Sequence, residues 1–210
     1  MVRSKNLEQL KARIDKAEPG SVFIPSDFFD IAEAVKINVA IKRLTDGGDL
    51  HRIMRGVYAK PRYSDLLNTN IPPRLDDVAK AIARNYGWTI VPCGDTAMNL
   101  LGLSTQIPAV WLYVSDGPYR AYEADGITLK FKHTDHKNEV LEVSSQTALV
   151  IQALKALGKE NVTERDIRQL SKMFKRSQKE QMLAESQRVT AWVREYIKRI
   201  CMEGTDEKGR

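Results

Sequence analysis

The sequence predicts an α+β protein: an N-terminal winged helix-turn-helix, then a small mixed-sheet α/β domain, then a C-terminal helical segment. Three observations carry that prediction. Val35 to Pro61, VKINVAIKRLTDGGDLHRIMRGVYAKP, reads as one amphipathic helix, a glycine stop and a short hairpin. Residues 75–133 combine a helical stripe with apolar and alternating strand runs. From Ser144 onward the apolar residues recur at helical spacing. Residues 1–62 are thus expected to form the winged helix-turn-helix, 63–74 a linker, 75–203 the second domain with its C-terminal helices, and 204–210 a disordered tail.

In chain order, Leu7, Leu10, Ile14 and Ala17 make the stripe of a first helix over 4–17, and Pro19-Gly20 stops it. Ser21–Pro25 is short and extended, a third strand for the wing sheet. Ser26 is placed as an N-cap for a second helix over Asp27–Ala34, with Phe28, Phe29 and Ile31 packing against Ile41 and Leu44. In the next helix Ile37, Ala40, Ile41 and Leu44 share the buried face, while Lys36, Asn38, Val39, Lys42 and Arg43 share the outer one. Gly47-Gly48 ends it. Leu50–Ile53 and Val57–Ala59 form strands around a Met54-Arg55-Gly56 loop, with glycine where positive φ is required.

The proline-bracketed stretch Pro61–Pro73 is the linker, with Leu66 and Leu67 available to dock on a neighbouring surface. Leu75–Tyr86 follows as a helix ended by Gly87, then Trp88–Val91 as a strand, and Asp95 caps a short helix through Leu101. Ala109–Val114 is continuously apolar, as in a strand covered on both faces. Asp125-Gly126 turns into Ile127–His133, where Ile127, Leu129 and Phe131 alternate with Thr128, Lys130 and Lys132. Ala148–Leu157 is helical. Thr163–Asp166 is a capping box opening a helix through Phe174, and Ser177 with Glu180 is a second such box. A final helix carries Met182, Leu183, Val189, Trp192, Val193, Ile197 and Ile200 on one face.

Charge is concentrated where the helix and hairpin lie. Between Lys36 and Arg62 seven Lys or Arg face two Asp, a net of +5, within a chain of net +6 and pI near 9.3. Clustered cations that neutralise DNA phosphates release condensed counterions, which gives affinity for any duplex. A helix from Lys36 to Thr45 is about 15 Å long at 1.5 Å per residue, and the major groove is roughly 12 Å wide. Asn38 suits adenine, and Lys42 or Arg43 suits guanine. Arg52, Arg55 and Lys60 on the wing suit phosphates or the minor groove. The same charges also fit a solvated helix face. A second basic group, Arg168, Lys172, Lys175, Arg176 and Lys179, has the same two readings.

Composition and motifs narrow the remaining classes. With 42% hydrophobic and 29% charged residues the chain is ordinary for a globular protein. Cys93 and Cys201 are too few for a disulfide framework or a cysteine zinc site, and read as buried thiols in a reducing compartment. No signal-peptide core and no membrane-length apolar window is present, so a cytoplasmic protein with no membrane partner is expected. His133-Thr134-Asp135-His136 is the one cluster that resembles a metal or acid/base site, and it lacks further ligands of matching spacing. There is no phosphate-cradling glycine loop and no Gly-x-Ser-x-Gly elbow. Asp125 with Leu129-Lys130 lacks the acidic residue beside lysine of a metal-dependent nuclease core. No catalytic residue, metal or cofactor is therefore assigned, and a non-enzymatic protein is expected.

The order of three motifs carries a resemblance. RGVYAKP (Arg55–Pro61), VPCGDTAMNLLGLSTQIP (Val91–Pro108) and the strand with KFKH (Lys130–His133) resemble the AbiEi-like antitoxins of bacterial abortive-infection modules. That resemblance implies an N-terminal domain that binds its own promoter as an autorepressor. It also implies a C-terminal region that counters a nucleotidyltransferase-like toxin, directly or indirectly. Carried over, Lys36, Asn38, Lys42 and Arg43 would read the operator, Arg52 and Arg55 would hold the wing, and Gly102–Pro108 would belong to the antitoxin domain. The alternative is a stand-alone winged-helix regulator whose C-terminal region senses a ligand or protein.

Overall fold

The computed structural model describes residues 2–135 and 140–203, and it is α+β with small sheets. Two compact units emerge, one of residues 1–88 with 123–127, the other of 89–122 with 128–210. The expected tail and His136 lie outside the described residues.

The first unit begins with α1 (Val2–Lys16), which buries Leu10 and Ile14 against α2 (Ala34–Asp46). Helix α2 buries Ile37, Ala40, Ile41 and Leu44, the face that its spacing anticipates. Asp46 is its last residue, and Gly48 supplies the left-handed conformation beyond it with φ +81°. Strands β1 (Val22–Phe23), β2 (His51–Met54) and β3 (Val57–Ala59) form an antiparallel sheet in the order β1-β3-β2. Met54 pairs with Val57, so the hairpin turns on Arg55-Gly56 alone, with Gly56 at φ +78° and a register shift between Arg52 and Met54.

The helix expected over Asp27–Ala34 is instead a 3-10 turn, Pro25–Phe28, followed by irregular turns. Local chemistry explains this. The Asp27 carboxylate accepts from the Ile24 amide at 2.9 Å, and the Ile31 amide donates to the Phe28 carbonyl at 2.9 Å, an i to i+3 bond. Phe28 and Ile31 are three residues apart, so a 3-10 geometry turns both toward the core. Phe29 faces outward, 51% exposed, contrary to its expected core role. The Arg13 guanidinium holds the segment to α1 through the Asp27 carbonyl (2.9 Å) and both Asp30 carboxylate oxygens (2.8 and 2.5 Å).

The stretch 63–74, expected as linker, carries a short ribbon of β4 (Tyr63–Ser64) and β5 (Thr69–Asn70). Leu66 and Leu67 at its tip are exposed. Helix α3 (Leu75–Tyr86) has the bounds that its sequence predicts and ends at Gly87, φ +69°. It packs on β1 and β3, within the first unit. Arg84 there reaches the Asp27 carboxylate at 3.1 Å and the Val22 carbonyl at 3.3 Å.

A four-stranded sheet comprises β6 (Ile90–Pro92), β7 (Val110–Ser115), β8 (Arg120–Ala124) and β9 (Ile127–His133), in the order β6-β7-β9-β8; of it, residues 90–122 and 128–133 belong to the second unit. β6 runs antiparallel to β7, and β7 parallel to β9, so the sheet is mixed as expected. Burial along β7 alternates, with Trp111, Tyr113 and Ser115 inward and the intervening residues partly open. Helix α4 (Gly94–Leu100) connects β6 to β7; Asp95 lies in its first turn and makes no side-chain cap. Buried Thr96 accepts the Leu112 amide at 2.7 Å, fixing α4 to the sheet.

Among the described residues the unit continues with the helices α5 (Ser145–Leu157), α6 (Glu164–Met173), α7 (Arg176–Glu185) and α8 (Ala191–Met202). Their shared core includes Ile151, Leu154, Ile167, Leu170, Met182, Val193, Ile197 and Ile200. The Thr163–Asp166 box forms as anticipated, with reciprocal side-chain to amide bonds. Ser177 caps nothing; helix α7 starts at Arg176, and the Gln178 side chain accepts from the Lys175 amide. The single long final helix of the sequence reading is two, divided at a 3-10 turn, Ser186–Arg188. There the Ser186 hydroxyl donates to the Leu183 carbonyl and competes with helical continuation.

Candidate nucleic-acid interface

Helix α2 presents its outer face beside the β2–β3 hairpin, and the two elements enclose a groove of about 500 Å³. Asn38 and Lys42 line it from the helix; Arg52, Arg55 and Tyr58 line it from the hairpin. The strand period explains the hairpin's share. Arg52 pairs with Tyr58 across the ladder, so both project to one face, while His51 and Ile53 project to the other. The helical period explains Asn38 and Lys42, four residues apart on one stripe. Asp46 is the acidic member of the lining.

The other cations divide by their partners. Lys36 and Arg43 are exposed on α2 but do not line the groove. Lys36 approaches Glu33 at 3.5 Å, a solvent-exposed pair of small energetic consequence. Among the described residues Lys42, Arg43 and Arg55 make no ion pair. Lys60 serves another purpose than the phosphate contact expected of it. Its ammonium donates to the Asp15 and Ala17 carbonyls, both at 2.8 Å, and so satisfies acceptors at the end of α1. The set brought together is therefore Asn38, Lys42, Arg52 and Arg55, with Tyr58 as a member that the sequence reading missed. Strand alternation in HRIM and VYA is the signal that finds it.

Elsewhere the polar clusters are held by their own surroundings. His133 contacts the Gly117 carbonyl at 2.9 Å and Asp135 at 3.1 Å, which raise its pKa in that order. Among the described residues no three His, Cys, Asp or Glu are arranged to hold a metal. Burial pushes the Cys93 thiol up to about 11, against the pull of Lys132. Such a thiol is a poor nucleophile at neutral pH. In the GLSTQ segment the Gln169 amide donates to the Leu101 and Gly102 carbonyls at 3.2 and 2.6 Å, and Asn99 donates to the Gln106 carbonyl at 3.0 Å. These bonds fix a turn. Of the second basic group, Lys179 donates to Ser171 and the Glu203 carbonyl, and Arg176 pairs with Glu180.

Residues 9–182 match the model of a family of unknown function, DUF6088. The chain belongs to that family. The match takes in the α2–hairpin groove and extends through the mixed sheet into α7, so both units are family features. No curated protein matches the chain. No helix among the described residues is long and apolar enough to cross a membrane.

Proposed function

We propose that this DUF6088 protein is a winged helix-turn-helix DNA-binding protein, acting in the cytoplasm as the antitoxin and autorepressor of a bacterial toxin–antitoxin module. The observation that carries the DNA-binding reading is the groove in which Asn38 and Lys42 of α2 face Arg52 and Arg55 of the hairpin. In this reading α2 is the recognition helix. At thirteen residues it is about 20 Å long, enough to lie along a major groove. The Pro25–Phe28 turn takes the place of the first helix of the helix-turn-helix. Asn38 donates to and accepts from adenine, Lys42 and Arg43 donate to guanine, and Arg52 and Arg55 grip the backbone beside it.

The antitoxin part of the proposal rests on the resemblance carried by RGVYAKP, GLSTQIP and KFKH. It assigns the second unit to countering a nucleotidyltransferase-like toxin and gives the protein no catalytic role. The two halves separate in cells. A reporter driven by the DNA upstream of the gene is expected to be repressed by wild type and released by Lys42→Ala/Arg43→Ala. The same double variant is expected still to relieve growth arrest caused by the neighbouring toxin gene. Repression that survives the double substitution contradicts the recognition helix. Absence of any relief by wild type contradicts the antitoxin assignment.

A further inference from the structure

The outer face of α2 carries two side chains that a merely solvated charged face does not require. Val35 is 75% exposed and Val39 50%, on the same face as Lys36, Asn38, Lys42 and Arg43. Residues four apart lie one above the other on a helix, so the two isopropyl groups form a short apolar ridge that Arg43 continues one turn further on. Single exposed valines need no explanation. Two in register, at the leading end of a basic helix and at some cost in helix propensity, do.

We infer that Val35 and Val39 pack against the C5-methyl groups of two thymines in the major groove. This inference rests on the DNA-binding reading above. The flanking cations select a polyanion rather than another apolar protein surface: Lys42 and Arg43 make no ion pair among the described residues, and Lys36 has only an exposed one. Thymine's methyl is the apolar group that the major groove offers, and aliphatic side chains recognise it by contact. Four residues rise about 6 Å along a helix, close to two base-pair steps of roughly 3.4 Å. The two thymines therefore stand about two steps apart, with the Arg43 contact beyond them.

The test replaces thymine by uracil, which removes the methyl and leaves every hydrogen-bonding group. The full-length protein is titrated with the duplex from upstream of its gene, bearing single uracils at successive thymine positions, and with a scrambled duplex. Burying one methyl is expected to make the thymine duplex bind about fourfold tighter than its uracil counterpart at two positions. In Val39→Ala, whose exposed substitution leaves the core intact, one of those two sensitivities is expected to disappear, and in Val35→Ala the other. If wild type prefers the upstream over the scrambled duplex but no uracil weakens it, the methyl contact is overturned and the recognition helix stands. If the valine variants retain both sensitivities, the assignment to these side chains is overturned. If wild type shows no preference between the duplexes, the DNA-reading proposal itself fails.

Discussion

Lys60 and Arg55 lie five residues apart in one basic hairpin, yet their neighbours give them opposite roles. Lys60 bridges two carbonyls at the end of α1, while Arg55 extends into the groove. Replacing Lys60 by alanine leaves the partly buried Ala17 carbonyl and the exposed Asp15 carbonyl without their charged donor. Chemical denaturation is expected to show a loss of about 1–2 kcal/mol, with the DNA affinity of the folded protein little changed. Arg55→Ala is expected to leave stability within about 0.5 kcal/mol and to weaken DNA binding. Its plot of log affinity against log salt should be shallower by about 0.9. Equal effects of the two substitutions on stability would contradict this division. Sequence alone could not distinguish them, because the partner carbonyls of Lys60 lie more than forty residues away. The shared stripe of Asn38 and Lys42 follows from the helical period, whereas Arg52 joins them through the packing of the hairpin beside α2.

At the scale of elements, legibility follows the range of the determining interactions. Helix α3 and the Thr163–Asp166 cap were readable because their stripe, glycine stop and box lie within a few residues. The Asp27–Ala34 segment departs from its helical reading because the Asp27 side chain closes a local turn on the Ile24 amide and Arg13, fourteen and seventeen residues away, holds Asp27 and Asp30 in place. The break at Ser186–Arg188 interrupts an apolar run whose spacing suits one helix or two. The N-terminus of α5 is another element completed from afar. Glu185 of α7 accepts from the Ser144 amide (3.0 Å), the Ser144 hydroxyl (2.8 Å) and the Thr147 hydroxyl (2.5 Å). Burial alone would raise the Glu185 carboxyl, but these bonds and one from Gln181 hold it below the usual carboxylate range. A depressed carboxylate stabilises the fold above its unfolded pKa, and that contribution is lost as pH falls through the folded value. Wild-type stability is therefore expected to drop as pH falls below the usual carboxylate range, and Glu185→Gln to lower stability at pH 7 while flattening this acid limb. Parallel pH curves for the two proteins, measured by thermal unfolding, would contradict the assignment.

Across the whole molecule the charge is uneven. Residues 1–62 carry twelve basic and eight acidic side chains, 63–149 seven and ten, and 150–210 fourteen and nine. The family match spans parts of both units, residues 9–182, and stops before α8; the proposed pairing is of a DNA-reading part and a partner-directed part. In the proposed function α2 distinguishes one DNA sequence from another, beyond the attraction that any basic surface has for phosphate. The most direct test is a binding titration at fixed salt with the duplex from immediately upstream of the gene and a scrambled duplex of equal length. Wild type and Lys42→Ala/Arg43→Ala would be compared. Wild type is expected to bind the upstream duplex preferentially, and a folded double variant to lose that preference. Equal, weak and salt-sensitive binding of both duplexes by wild type would contradict the proposed function.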